Sequence, residues 1–359
     1  MLKPDNQQQK NKVKRPFVIF RMPGSSGSSI YSGKIKPIIL QEAFNLHGFI
    51  LSPFINSSQN PTVFLEPDAV TEIISDIPDS LIDQMQLSES LPEIKMTINT
   101  DRETYIQDLK KLIELLKSGE ANKVVISRTT VIESFSNQQL IRLYNTLCKT
   151  YPNAFVYIAH IQPYGIWMGA TPETLISCHD SECNTMALAG TRKSGSQSDW
   201  GVKEREEQNI VSKYIQTTLA GHRVHNLEVS GPFTKQAGAM EHLCTNFSFG
   251  TPDDETLVQI INSLHPTPAV CGIPKAKALQ FISQFESHNR EYYTGFLGPV
   301  NFRGKTDLFV NLRCMKITSS KMILFAGGGI TKDSVPEKEW EETELKAQTL
   351  LSVIEKVLE

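Results

Sequence analysis

Apolar residues change their spacing along this chain, and each change marks an element. Tyr105, Leu109, Leu112, Ile113 and Leu116 recur at helical intervals and Gly119 stands where such a helix would stop, so a helix is predicted from about residue 100. Residues 123–132 then run almost continuously apolar and β-branched, the pattern of a buried strand. Shorter apolar segments at 154–161, 165–169, 174–178 and 185–189 are bounded by Pro, Gly and the turn-forming His179, Asp180 and Ser181, which predicts antiparallel hairpins. A long helix over about 202–219 interrupts them. Further strands are predicted at 239–249, 292–302, 308–317 and 322–326, and further helices at 255–264, 275–285 and 337–357.

Before residue 100 the text is less regular. A short strand at 17–20 leads into a Gly/Ser-rich loop at 23–33, and short strands and turns continue toward Ser90. Consecutive strands without regular strand-helix-strand alternation indicate an α+β fold and not a doubly wound sheet. No repeat and no proline-rich linker divides the chain, so residues 1–99 are expected to belong to the same compact unit as residues 100–359.

Composition narrows the partners more than the fold. The chain has 359 residues, 40% of them hydrophobic, enough for a substantial core. A net charge of −3 with scattered lysines and arginines supplies no field for phosphate backbones, so nucleic acid is not an expected partner. No apolar run approaches membrane-spanning length and no secretory leader is visible after the polar start, so no membrane association and a cytoplasmic location are expected. The six cysteines lack CxxC spacing and are expected to be reduced, mostly packing as apolar residues.

Candidate chemistry concentrates in acidic pairs and one lysine. Glu204 and Glu207, and again Glu339 and Glu342, stand three apart on predicted helices and so project from one face, where they could offer oxygen ligands to a hard cation such as Mg²⁺. Solvated helix faces, with Lys203 and Lys338 alongside, account for the same spacing. Lys123 opens an apolar strand and would act as a base if desolvated, or snorkel to water if not; Glu173, at a strand junction, has the same two readings. The glycines at 327–329 permit close backbone approach to an anion or form a plain hairpin turn, and they match neither the P-loop nor GxGxxG.

In order along the chain stand KVVISR (123–128), GATPETL (169–175), LAGTR (188–192), KEREEQ (203–208) and LHPTPAVCGIP (264–274). They are followed by Glu286, Arg290, Tyr293-Thr294-Gly295, NLR (311–313), AGGGI (326–330) and DSVPEKEWEETELK (333–346). This series resembles the chorismate-binding family, to which anthranilate synthase component I also belongs, and spans roughly residues 100–356. The resemblance implies a large, mostly antiparallel sheet with helices packed outside, and makes residues 100–359 the catalytic region. Within the family the chain is most similar to isochorismate synthases. Lys123 stands where anthranilate-forming members typically have glutamine, Ala189 where aminodeoxychorismate-forming members often have lysine, and Ala269 where salicylate-forming members tend to have threonine.

What the resemblance implies for the site is specific. Lys123 would take a proton from water attacking C2 of chorismate, and Glu173 would protonate the departing C4 hydroxyl. Mg²⁺ would meet the ring carboxylate, with Glu207 and Glu342 as direct ligands and Glu204 and Glu339 holding coordinated waters or ligating in another state. Arg313 and Lys346 would meet the second carboxylate, assisted by backbone at Gly190 and Gly327, while Thr191, His242, Ala269 and Tyr293 shape the pocket. The implied partner is chorismate alone, with no glutamine amidotransferase subunit, in a monomer or homodimer. Menaquinone synthesis is the preferred destination, with siderophore or salicylate pathways as alternatives. Two departures from the family pattern are Gln208, where a histidine usually follows the metal glutamate, and Cys271, where glycine is common.

Overall fold

Residues Phe155–His160 are buried on both faces, which only a strand covered on two sides requires. Val156 and Ile158 join one apolar cluster, whereas Phe155, Tyr157 and Ala159 point into another, following the two-residue alternation of a strand. The computed structural model describes residues 15–79, 81, 99–133, 139–196, 198–318 and 321–358. The polar amino terminus and the predicted strands and turns over 82–98 lie outside the described residues.

Among the described residues sixteen strands form a single sheet. They are β1 (Phe17–Arg21), β2 (Ser28–Pro37), β3 (Gly48–Ser52), β4 (Val63–Ile73), β5 (Lys123–Glu133), β6 (Phe155–His160), β7 (Ile166–Thr171) and β8 (Thr174–His179). The rest are β9 (Glu182–Lys193), β10 (Glu228–Ala237), β11 (Met240–Gly250), β12 (Gly272–Ile273), β13 (Phe296–Val300), β14 (Lys305–Val310), β15 (Cys314–Ile317) and β16 (Lys321–Ile330). The helices are α1 (Leu40–Ala43), α2 (Arg102–Lys117), α3 (Leu140–Thr150), α4 (Val202–Gly221), α5 (Asp254–Leu264), α6 (Lys275–Phe285) and α7 (Pro336–Leu358). The strand order is β10-β11-β9-β8-β14-β13-β3-β4-β2-β1-β6-β7-β15-β16-β5-β12, so β1 to β4 occupy its middle. Neighbours pair antiparallel, as the α+β reading requires.

The sheet folds over on itself. Phe155 of β6 stacks on Phe309 of β14 with ring centroids 4.2 Å apart, although these strands are far apart in the order. Tyr157 donates to the Asn311 amide oxygen at 2.6 Å across the same interior. Helices cover the outer surfaces: α3 and α7 lie over one apolar cluster, α4 and α5 over a second, and α2 and α6 over a third. The apolar face predicted for α2 is buried, and Asp101 caps its start by accepting from the Glu103 and Thr104 amides. No helix among the described residues is long and apolar enough to cross a membrane.

Several boundaries differ from the pattern-based reading. Helix α3 was not predicted, although Leu140, Ile141, Leu143, Tyr144 and Leu147 form its buried face. The strand predicted at 292–302 begins only at Phe296, because Tyr292, Tyr293 and Thr294 form a turn that Gly295 closes against Ser52. The strand predicted at 308–317 is split into β14 and β15 at Arg313, whose φ is +46°. The glycines at 327–329 form neither a hairpin turn nor a loop; they continue β16 and pair with Ser127, Ile126 and Val125. Cys178 and Cys183 are joined in a disulfide and not reduced, because the β8-β9 register sets them opposite each other with Cα atoms 4.1 Å apart. Cys148, Cys244, Cys271 and Cys314 are free.

A buried ion pair ties α6 to the site strand. Arg290 donates twice to Glu286, at 2.8 and 2.6 Å, and also to the carbonyls of Val125 and Val270, while Glu286 accepts from the amide and hydroxyl of Ser127. Burial works against the charged Glu286 carboxyl, but Arg290 outweighs it and holds the group below the usual range. Arg290→Met is expected to cost about 3–5 kcal/mol in urea unfolding at pH 7, because it leaves a buried carboxylate unpaired. A folded-state value below the unfolded one means this stabilisation is present above the ordinary carboxyl range and lost as pH falls through the folded value. The difference between variant and wild type should therefore shrink in acid, and a loss under about 1 kcal/mol at pH 7 would contradict the role assigned to the pair.

Candidate active site

Strand β5 places Lys123, Val125 and Ser127 on one face, and antiparallel pairing sets Gly329 and Gly327 of β16 directly opposite Val125 and Ser127. Two glycines in that row leave a bare strip of backbone. A Cβ at Gly329 would lie 2.6 Å from Lys123 Cε and 2.7 Å from Glu207 Oε1, and one at Gly327 would lie 3.0 Å from the Tyr293 hydroxyl. The bare strip thus lets a lysine, a glutamate and a tyrosine reach the same part of the sheet. They line a cavity of about 760 Å³, counting the open space at its mouth.

Glu173 reaches the same cavity from the connection between β7 and β8. It sits between β7 and β8, where its carbonyl accepts from the Val310 amide at 3.0 Å, and its side chain is buried. Burial pushes its carboxyl up to about 7, against the opposing pull of Lys235, Lys123, Arg313 and Lys346. Near neutral pH this carboxyl both holds and releases a proton, the property of a general acid.

Arg313 is delivered by the break between β14 and β15. Its Nη2 lies 2.6 Å from His242 Nε2, and its Nη1 donates to the Ala237 carbonyl at 3.1 Å. A guanidinium only donates, so His242 Nε2 is the acceptor and Nδ1 carries the proton, which it gives to the Gly190 carbonyl at 3.0 Å. Burial first, then Arg313 and Lys346, push the imidazole well below its ordinary value and keep it neutral. The guanidinium itself is lowered to about 10 by burial. Gly190, with a φ of +70°, sits where the β9-β11 register shifts, and a Cβ there would press on Glu204 of α4 at 3.0 Å.

The predicted metal glutamates separate into unequal places. Glu207 and Glu342 line the cavity, whereas Glu204 and Glu339 do not. Glu204 folds back over Gly201 and Gly190. Glu339 pairs with Lys203 at 2.5 Å and Glu342 with Lys346 at 2.8 Å, so Lys203 is not the solvated neighbour its position suggested. Burial and the nearby Glu342 raise Glu339, while Lys346 and Lys203 overcome burial and lower Glu342. Among the described residues no three acidic, histidine or cysteine side chains converge as a ligand set. Two buried carboxylate oxygens, Glu207 Oε1 and Glu339 Oε2, nevertheless have no hydrogen-bond partner, and desolvated anionic oxygens of this kind fit a hard cation.

The other predicted residues fall around the same space. Thr191, Ala269, Tyr293, Gly327 and Lys346 line it, with Tyr293 stacked on Phe325 and Lys346 donating to the Gly327 carbonyl at 2.8 Å. Gln208 turns the other way, its amide nitrogen donating to the Ala187 carbonyl and the Thr245 hydroxyl, so it fastens α4 to β9 and β11. Sequence reasoning missed Lys235, because β10 is an exposed strand without apolar periodicity. Only its pairing with His242 across β10 and β11 marks it as facing the site.

Comparison with known proteins places this geometry. Over 269 residues the chain is 28% identical to the vibriobactin-specific isochorismate synthase of Vibrio cholerae, covering 72% of this chain and 68% of that enzyme. Over 275 residues it is 26% identical to anthranilate synthase component 1 of Acetivibrio thermocellus, covering 73% of this chain and 55% of that protein. Among solved structures, the menaquinone-specific isochorismate synthase of Escherichia coli has the same fold, with a TM-score of 0.75 at 22% identity over 94% of this chain and 88% of its own. The family described as chorismate binding enzyme matches residues 62–355, a span that holds every residue lining the cavity, and the chain belongs to that family.

Proposed function

We propose that this chain is an isochorismate synthase, converting chorismate to isochorismate with Mg²⁺ bound. The observation that carries the reading is the shared cavity of Lys123 and Glu173, a buried amine and a buried carboxyl whose proton is exchangeable near neutrality. In the forward direction Lys123 takes a proton from water as its oxygen bonds to C2. Both ring double bonds shift, from C1=C2 to C1=C6 and from C5=C6 to C4=C5, and the C4 hydroxyl leaves as water with the proton from Glu173. One water enters and one departs, so the product is an isomer, and return of the proton from Lys123 to Glu173 restores the starting state.

Arg313 and Lys346 supply fixed positive charge for a carboxylate of the substrate, Arg313 being oriented by His242 and Lys346 by the Gly327 carbonyl. Glu207 and Glu342 would hold Mg²⁺, with Glu204 and Glu339 acting through water. When bound, the ion supplies charge that lets the ring carboxylate approach these glutamates. The unpartnered oxygens of Glu207 and Glu339 support a cation here. Lys123 in place of glutamine, and Ala269 in place of threonine, support water as the nucleophile and isochorismate as the final product.

Incubation of the purified protein with chorismate and Mg²⁺, followed by chromatography, should yield isochorismate in equilibrium with chorismate, and a chelator should abolish it. Sustained release of salicylate and pyruvate, or anthranilate formation when ammonia is added, would reject the assignment. Lys123→Ala and Glu173→Gln should each lower turnover by roughly 10²-fold or more, with chorismate affinity changed much less. Because the acid must carry its proton, wild-type kcat/KM should fall as pH rises through about 7, the value to which burial brings Glu173. Near-normal turnover in either variant would sink the roles given to them.

A further inference from the structure

Strand β10 is an exposed edge of the sheet, and from Glu228 to Thr234 every residue is exposed, yet Lys235 tucks inward. The register explains its direction. Lys235 is opposite His242 on β11, and His242 is opposite Thr191 on β9. Directly opposed residues share a face of the sheet, and both His242 and Thr191 line the cavity. The Lys235 ammonium reaches past them to lie 3.4 Å from the Pro172 carbonyl and 3.4 Å from Met186 Sδ. It does not line the cavity itself.

The groups facing Glu173 come from five elements. Lys235 belongs to β10, Lys123 to β5, Arg313 to the break before β15, Lys346 to α7, and the Cys244 thiol to β11. Among the four cations, Lys235 exerts the strongest pull on the Glu173 carboxyl. Arg313 is engaged by His242 and Ala237, Lys346 by Glu342, and Lys123 stands beside Glu207. Among the described residues only Lys346 of these four is in an ion pair, and only Lys235 lies outside the cavity lining. An anionic substrate seated on Arg313 and Lys346 would offset their charges. It would leave that of Lys235 in force.

We propose that Lys235 is a positioning residue for the acid: from outside the cavity wall it steadies the junction at Pro172 and Glu173 and sets the field in which Glu173 keeps or gives up its proton. This inference rests on the isochorismate synthase reading for the purpose of that proton, though not for the electrostatic link itself. Charge in a water-poor interior acts over several ångströms without direct contact, so a long hydrogen bond to the neighbouring carbonyl is sufficient geometry.

The test compares wild type, Lys235→Met and Lys235→Arg in the Mg²⁺-loaded enzyme. In Lys235→Met the basic limb of kcat/KM should move up by roughly one pH unit, the direction expected when a cation near a carboxyl is removed. Below that limb, KM for chorismate should stay within about twofold of wild type. Lys235→Arg should restore the limb. A ¹³C-carboxyl NMR titration, with the Glu173 signal assigned by its loss in Glu173→Gln, reads the same displacement without turnover. If no isochorismate forms but the NMR displacement persists, the functional reading fails and the link stands. Superimposable titrations of Glu173 in Lys235→Met and wild type would overturn the proposal, as would a uniform loss of turnover at every pH in both variants.

Discussion

Beyond Phe325 and Ala326, strand β16 presents only the backbone of Gly327 and Gly329 to the cavity, and the arrangement of charge in this protein depends on that bare strip. Any Cβ at Gly329 would occupy the space that Lys123 Cε and Glu207 Oε1 approach to within 2.7 Å. A residue with a side chain would separate the amine from the carboxylate or push both outward. At Gly327 the same freedom admits the Tyr293 hydroxyl, and the backbone carbonyl itself becomes the anchor for Lys346. The glycines serve here by the absence of volume and not by unusual torsion angles, since none of the three has a positive φ.

Bringing ionisable groups into such a space is costly unless each has compensation, and the compensation explains the side chains around it. Lys203 neutralises Glu339, Lys346 neutralises Glu342, and His242 takes a proton-bearing nitrogen of Arg313 as a neutral acceptor. Behind the wall, Arg290 and Glu286 hold β5 to the end of α6, so Lys123 projects from a strand fixed on both edges by β16 and β12. Burial lifts the Glu173 carboxyl into the neutral range against the pull of the cations around it.

Local pattern made some of this legible and could not reach the rest. The faces of α2 and the strand character of β5 follow from apolar spacing alone, and the ordered motifs pointed to the residues that meet in the cavity. Helix α3 was overlooked although its apolar face is regular. Strand β10 is polar and exposed, so periodicity says nothing of it, and the position of Lys235 emerges only from pairing with β11. The split at Arg313 was hidden because apolar residues continue on both sides of it. The cysteine pair was misread for a related reason: the turn at 179–181 was legible, but a separation of five residues becomes a cross-strand contact only once the β8-β9 register is known. The division among the four glutamates likewise depends on the angle at which α4 and α7 meet the sheet.

Under the proposed function, the chorismate ring would lie between Lys123 and Glu173, with one carboxylate toward Glu207 and Glu342 and the other toward Arg313 and Lys346. A crystal structure of the Glu173→Gln variant with chorismate and Mg²⁺ tests this most directly. The account predicts C2 of the ring facing the Lys123 amine, with space for one water between them, and the C4 hydroxyl against residue 173. Chorismate bound outside this cavity, or bound within it with C2 turned away from Lys123, would contradict the account.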